Sequence, residues 1–390
     1  MESVTASDLT QPALARVRPR CLNLVFGPPG STLEERIELK RSLLAEREPI
    51  RGGDWDLPAE RRFTDLEVYQ AIEARISNGT AWEETNFYRR VLNDFARGTS
   101  KWGCANEEEF VARLAAVDEL HRTIAREGFR SQAELGSNGA DDVRVAIARD
   151  GRVLFVDGRH RLAIARALGI EEIPVRIVAR HNAWCEFKRT VLDYARTHNG
   201  RVYQEIDHPD LRHVEFSHGP ERIEMIGPAL SPYAGRGLSL LDIGAHWGYM
   251  CQQLERMGFA CHGVEMNRQS AETANKIATA TESAFSVSRE SIFDCPDVER
   301  FDVVLALNIF HHFLKTEEQH ERLEALLRRV NAQVMIFEAH RHDPPAQMRD
   351  AYRNYPAEEF VSFVCRHAGF AGADEIGTAR GGRRLFKLWR

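Results

Sequence analysis

Three groups of residues in this chain have the types and spacing that chemistry requires. The first begins in Ser239-Leu240-Leu241-Asp242-Ile243-Gly244-Ala245-His246-Trp247-Gly248, an apolar run that breaks into a glycine-containing turn. Such a turn lets a ligand approach the main chain closely, and a helix starting beyond it offers unpaired N–H groups. Gly244 and Gly248 stand four apart with His246 between them, so the fingerprint G-x-G-x-x-G is not met. A pyrophosphate cradle is thereby disfavoured, and a smaller adenosine ligand remains. The next apolar run, Ala260 to Val264, closes on Glu265. An acid about 20 residues past the first glycine suits ribose hydroxyls, because a carboxylate only accepts hydrogen bonds and meets two donors at once.

The second group is Asn308-Ile309-Phe310-His311-His312. Neutral imidazoles titrate in the range needed to take a proton from a hydroxyl. His311 and His312 are the first candidates for such a base and His246 the third, against the plainer reading that one of two adjacent histidines packs or caps. Glu338 is a further pocket candidate. Arg222 is either a partner for a ligand carboxylate or a solvated surface arginine. The third group is Gly158-Arg159-His160-Arg161, where guanidinium forks at a strand-to-helix turn suit a phosphate or carboxylate. Its plainer reading is an arginine cluster paired with local acids such as Asp157. Trp102 reads as core packing or as a cap over Arg159.

The elements that must position these groups follow from periodicity. Helices are expected over Phe63–Ile76, Phe87–Phe95 and from Glu107 to Gly128, the last with Asn106 as N-cap before an acidic first turn. Val143–Ile147 and Val153–Val156 read as strands joined by an Asp150-Gly151 turn, followed by a helix from Leu162 to Leu168 and a strand over Ile173–Val178. A helix is expected at 183–197 and an irregular connector after it. From Leu238 strands and helices alternate, which predicts a mostly parallel sheet with helices on both faces. Strands are expected at 238–243, 259–264, 284–288, 302–307, 333–338, 370–376 and 384–389, and helices at 248–257, 268–280, 316–330 and 356–368.

Composition excludes several classes. With 52 Lys and Arg against 58 Asp and Glu, the net charge of −6 argues against a general nucleic-acid coat, which needs a basic face. No apolar run approaches the roughly 20 residues of a membrane helix, and the first residues lack the basic-then-apolar order of a secretory signal. None of the seven cysteines forms a C-x-x-C pair, so neither a structural zinc site nor a disulfide framework is expected. Reduced thiols and a cytoplasmic location follow as expectations, with no metal. Gly27-Pro28-Pro29-Gly30 lacks the G-K-[ST] ending of a phosphate loop and reads as a turn.

The C-terminal motifs, taken in order, resemble the class I S-adenosylmethionine-dependent methyltransferases. The family pattern D-x-G-x-G-x-G is matched at Asp242, Gly244 and Gly248 and departs at His246, and Phe301 to Phe313 resembles the family's fourth strand and loop. The resemblance implies a Rossmann-like, doubly wound seven-stranded α/β sheet that binds S-adenosylmethionine. It assigns Asp242, Gly244, Ala245, His246, Gly248, Glu265, Ser291 and Asn308 to the cofactor, Ser291 standing where an acid is usual, and Asn308 to His312 to the place where substrate meets the methyl group. Residues 141–180 resemble the ParB/sulfiredoxin-like fold, with Gly158, Arg159, His160 and Arg161 in its phosphate box, which implies a nucleotide as a second ligand. The expected organisation is a mainly helical region 1–140, a small α+β ParB/sulfiredoxin-like core 141–181 that uses elements of 1–140, a connector 182–237 and a methyltransferase domain 238–390. The expected activity is O-methylation of a small molecule or glycan. The alternatives are a bifunctional kinase-methyltransferase and a nucleic-acid-binding protein with a non-catalytic methyltransferase fold. The acceptor and the oligomeric state are not legible.

Overall fold

A computed structural model describes residues 4–57, 62–136, 141–341 and 348–390. Part of the region read as helical, 58–61, lies outside the described residues. The chain divides into two compact units, Met1–Asp193 and Tyr194–Arg390.

The first unit contains a mixed sheet of β1 (Leu14–Val17), β2 (Leu24–Val25), β3 (Ile50–Arg51), β4 (Val143–Ile147), β5 (Val153–Asp157) and β6 (Ile173–His181). The strands run in the order β1-β6-β4-β5-β2, with β3 on β6. Around them lie α1 (Ala6–Thr10), α2 (Leu33–Leu44), α3 (Glu67–Asn78), α4 (Asn86–Ala96), α5 (Glu107–Glu127) and α6 (Arg159–Ala167). Asn106 caps α5 as expected, its Oδ1 accepting the Glu109 N–H at 3.0 Å. The β4–β5 hairpin turns at Asp150-Gly151, where Gly151 takes a φ of 92°. Two boundaries differ from the periodicity. Phe63–Asp65 forms a separate 3-10 turn before α3. Helix α6 starts at Arg159 rather than Leu162, because Gly158 at φ 90° lets the chain enter the helix at once; a Cβ there would lie 2.8 Å from the Val143 Cα.

Helix α7 (Asn182–Thr197) leads into the second unit. Residues 198–237, read from sequence as an irregular connector, form a parallel pair of short strands, β7 (Val202–Gln204) and β8 (Phe216–His218), and a helix, α8 (Pro220–Leu230). The main sheet follows, with β9 (Ser239–Ile243), α9 (Tyr249–Glu255), β10 (Ala260–Val264), α10 (Arg268–Ala280), β11 (Ser286–Ser288), β12 (Val303–Ala306), α11 (Glu317–Arg329), β13 (Val334–Glu338), α12 (Ala357–Ala368), β14 (Gly372–Ala379) and β15 (Arg383–Trp389). Its order is β11-β10-β9-β12-β13-β15-β14, parallel except for β15. The expected seven strands are therefore present, and β14 and β15 close as a hairpin at Gly381-Gly382.

The apolar runs of this sheet are continuous because both faces are covered. Successive side chains point to opposite faces. Leu241, Ile243, Val304, Met335 and Phe337 pack with α11 and α12 on one side. Leu240, Val303, Leu305 and Ile336 pack with α8, α9 and α10 on the other. The strand order reverses between β9 and β12, which opens a crevice at the carboxyl ends of the strands. Gly244, Glu265, Asn308 and Glu338 all stand at such ends.

Candidate functional site

A cavity of about 580 Å³ occupies that crevice. The turn after β9 forms one wall. Gly244, His246 and Gly248 have φ values of 76°, 52° and 78°, so three of five consecutive residues are left-handed. Such a conformation costs glycine little and a residue with a Cβ, such as His246, more. The turn is also tightly packed: a Cβ on Gly244 would lie 3.0 Å from Ile309, and one on Gly248 would lie 2.5 Å from Phe285.

Glu265 lies against this turn at the edge of the cavity. Its Oε2 accepts the His246 N–H at 3.0 Å and its Oε1 the Asn267 N–H at 2.8 Å. Each oxygen keeps a lone pair for a further donor. Asp242 lies behind them, almost wholly buried; burial first, and the nearby Glu265 second, push its carboxyl up to about 7 against the pull of Arg222. Ser291 lines the cavity beside Ile292, and its hydroxyl caps the Phe293 N–H at 3.3 Å. Asn308, also left-handed at φ 54°, donates from Nδ2 to the Tyr203 hydroxyl at 3.2 Å. Thus Asp242, Gly244, His246, Glu265, Ser291 and Asn308 line one cavity. Ala245 packs against β10, where a Cβ on Gly263 would meet its side chain at 2.6 Å, and Gly248 caps α9.

The two histidine candidates part company. His312 is exposed and lines the cavity, and partial burial followed by Lys315 holds its imidazole below the usual range. His311 is buried behind it, with ring centroids 4.0 Å from His312 and 6.0 Å from His340, and does not line the cavity. Burial, reinforced by His312 and His340, pushes it down to about 3. His246 is pushed down to about 4, chiefly by burial.

The surface reading of Arg222 is corrected. Its side chain is 5% exposed and forms an ion pair with Glu338, itself 0% exposed, at 2.9 Å. Arg222 lines the cavity, while Glu338 stands behind it. Arg383 approaches the same carboxylate at 4.0 Å. Sequence reasoning missed Tyr203 and Gln204, which reach the cavity from β7, and Met266, an exposed residue beside Glu265. A three-residue strand carries too little periodicity to be read; Met266 was legible only as the neighbour of an assigned residue.

In the first unit the box residues are not gathered on one open face. Arg161 is buried, donating to the Asp141 and Arg130 carbonyl oxygens with its guanidinium 4.5 Å from the centre of Phe129. Its charge is thus committed to main chain and an aromatic face. His160 packs edge-on to Trp102 at 4.6 Å, and burial, with Arg159 and Arg113, pushes it down to about 4. Arg159 is exposed, and Asp157 pairs with Lys40 at 2.7 Å. Among the described residues, no group of three His, Cys, Asp or Glu stands close enough to hold a metal ion.

Residues 240–333 match the family model described as "Methyltransferase domain". The ubiquinone biosynthesis O-methyltransferase of Bradyrhizobium diazoefficiens is 29% identical over 92 residues, which is 24% of this chain and 36% of that protein. The chain thus spans about a third of the length of the curated relative it matches. Among solved structures, monomeric WbdD is similar with a TM-score of 0.42 and 20% identity, over 51% of this chain and 48% of that one. Magnesium protoporphyrin IX methyltransferase from Synechocystis PCC 6803, solved with bound S-adenosylmethionine, has a TM-score of 0.33 and 16% identity, over 43% of this chain and 74% of that one. The second unit carries a methyltransferase domain of the class I, S-adenosylmethionine-binding type.

Proposed function

We propose that the second unit transfers the methyl group of S-adenosylmethionine to a hydroxyl of a small molecule or glycan, with His312 taking the proton. The observation that carries this reading is the carboxylate of Glu265 set against the Gly244–Gly248 turn across one end of the cavity. The residues fit the cofactor. Glu265 is the acceptor for two ribose hydroxyls, and Met266 and Ile292 give apolar surface for the base, with Ser291 at its edge. Four buried polar atoms of the lining, Gln204 Oε1, His246 Nδ1, Asn308 Oδ1 and Gln319 Oε1, have no protein partner, which suits a polar ligand.

When bound, the cofactor supplies an electrophilic methyl group on its sulfonium. The chain's own part is alignment and exclusion of water. His312, held below its usual range, is neutral at neutral pH and so able to accept the hydroxyl proton. His311, its ring tilted against that of His312, acts as a positioning residue. A hydroxyl acceptor is in keeping with the O-methyltransferase name of the curated relative, and the acidic net charge disfavours a polyanionic acceptor.

Calorimetric titration with S-adenosylmethionine tests the reading. Glu265→Gln is expected to weaken binding about tenfold or more, the loss that follows when charge-assisted hydrogen bonds are removed. A wild-type chain that fails to bind would overturn it. His312→Ala is expected to keep the affinity and lose turnover on the hydroxyl acceptors of a panel.

For the first unit we infer, from its ParB/sulfiredoxin-like resemblance, an anion site at Gly158 and Arg159, where the first turn of α6 begins. A nucleotide phosphate is the proposed ligand. Binding of ATP or CTP that survives Arg159→Ala unchanged would exclude it. Phosphoryl transfer to the acceptor before methylation is the bifunctional alternative, and nucleotide turnover assays separate the two.

A further inference from the structure

The β7 strand contributes something to the cavity that lies outside residues 240–333, where the family match ends. Gln204 is buried to more than nine-tenths, lines the cavity, and leaves Oε1 without a protein partner. A buried amide oxygen in that state is costly unless a ligand satisfies it. Asn308, just past the end of β12, leaves its own Oδ1 unpartnered while its Nδ2 donates to the Tyr203 hydroxyl. The Tyr203 ring is fixed in turn between His246 and His218, with centroids 4.8 Å from each. Its hydroxyl also meets the guanidinium of Arg222.

The local electrostatics favour one kind of ligand group. Two carbonyl dipoles and the Asp242 carboxyl line this stretch. Two cationic residues, Arg222 and Lys315, also line the cavity, and Arg222 is already paired with Glu338. Acceptors are therefore in surplus, and a group with several N–H donors and a positive charge satisfies them where a carboxylate would be repelled.

We propose that Gln204 Oε1 and Asn308 Oδ1 form a two-acceptor seat for the ammonium group of the methyl donor, and that Tyr203 is the positioning residue that keeps the Asn308 amide oxygen turned towards it. The assignment rests on the cofactor reading given above and adds to it a binding residue supplied by β7. It makes β7 a wall that reads the amino-acid end of the cofactor, whereas Glu265 reads the ribose.

Calorimetry with three probes tests it: S-adenosylmethionine, its decarboxylated form, which keeps the ammonium, and 5′-methylthioadenosine, which lacks both amino-acid charges. Gln204→Ala is expected to weaken the first two about tenfold or more and to leave methylthioadenosine unchanged. Gln204→Glu, which places a carboxylate on the same atoms, is expected to tighten the first two. Tyr203→Phe is expected to reproduce the Gln204→Ala pattern in smaller measure. Equal weakening of all three probes, no weakening of any, or weaker binding to Gln204→Glu than to Gln204→Ala would overturn the proposal. Failure of the wild type to bind any probe would instead overturn the cofactor reading itself. Unchanged far-ultraviolet dichroism and melting of each variant exclude loss of fold as the cause.

Discussion

The Arg222–Glu338 pair shows how one residue's role depends on its surroundings. Burying two charges costs several kcal/mol per ion, and the pair is tolerated only because each neutralises the other. Removing one partner strands the other. Arg222→Met is therefore expected to destabilise the second unit by about 3–5 kcal/mol, somewhat less if Arg383, 4.0 Å from Glu338, takes over part of the pairing. Replacing both partners, as Arg222→Met with Glu338→Leu, is expected to restore most of the loss. Urea denaturation of the single and double variants measures both, and a double variant no more stable than the single would contradict this account. Neither partner was legible as half of a pair, because they lie 116 residues apart in sequence.

At the scale of elements, the turn between β9 and α9 is the least forgiving segment. Gly248 caps α9 at φ 78°, and its missing Cβ is replaced by the Phe285 ring at 2.5 Å. Gly248→Ala meets both a left-handed backbone and an overfilled contact. The expected cost is about 1–3 kcal/mol from overpacking, together with about 1 kcal/mol from the backbone. Displacement of the turn is also expected to weaken S-adenosylmethionine binding. A variant with wild-type melting temperature and affinity would refute the tightness of this turn. Helix α5 offers the contrasting case. Asn106→Ala removes only a cap and is expected to cost about 1 kcal/mol in the stability of the first unit, with no effect on cofactor affinity.

Across the whole molecule, acid is the expected weakness. His160, His218 and His246 are held near 4 and His311 near 3, each chiefly by burial, against an ordinary value of 6.5. A lowered imidazole pKa means that the unfolded chain binds more protons between those values, so stability falls as pH drops from 6.5 towards 4. Asp242 acts in the opposite sense. Its carboxyl is raised from 3.8 to about 7, so its contribution is lost as pH rises across that window. His262, His312 and His320 are lowered too and Glu205 is raised, so seven imidazoles stand against two carboxyls, and the melting temperature is expected to fall steadily between pH 6.5 and 4.5. Asp242→Asn is expected to steepen that fall by removing an opposing group. A melting temperature flat or rising on acidification would show that these histidines are solvated in the folded chain.

Sequence alone determined the order and type of the elements of the main sheet in the second unit, since a sheet buried on both faces leaves unbroken apolar runs. It also picked out Gly244 and Glu265, because strand ends in such a sheet recur at a readable spacing, and Asn308 through the methyltransferase resemblance of its segment. In the first unit the Asp150-Gly151 hairpin and the Asn106 cap were equally legible, being local in the chain. Tertiary structure decided which of two adjacent histidines meets the cavity, that Arg161 turns inward to carbonyl oxygens, and that a short strand ahead of the sheet delivers Tyr203 and Gln204. Each of these depends on desolvation and on partners distant in sequence, and periodicity, which reports only a residue's near neighbours, carries no record of them.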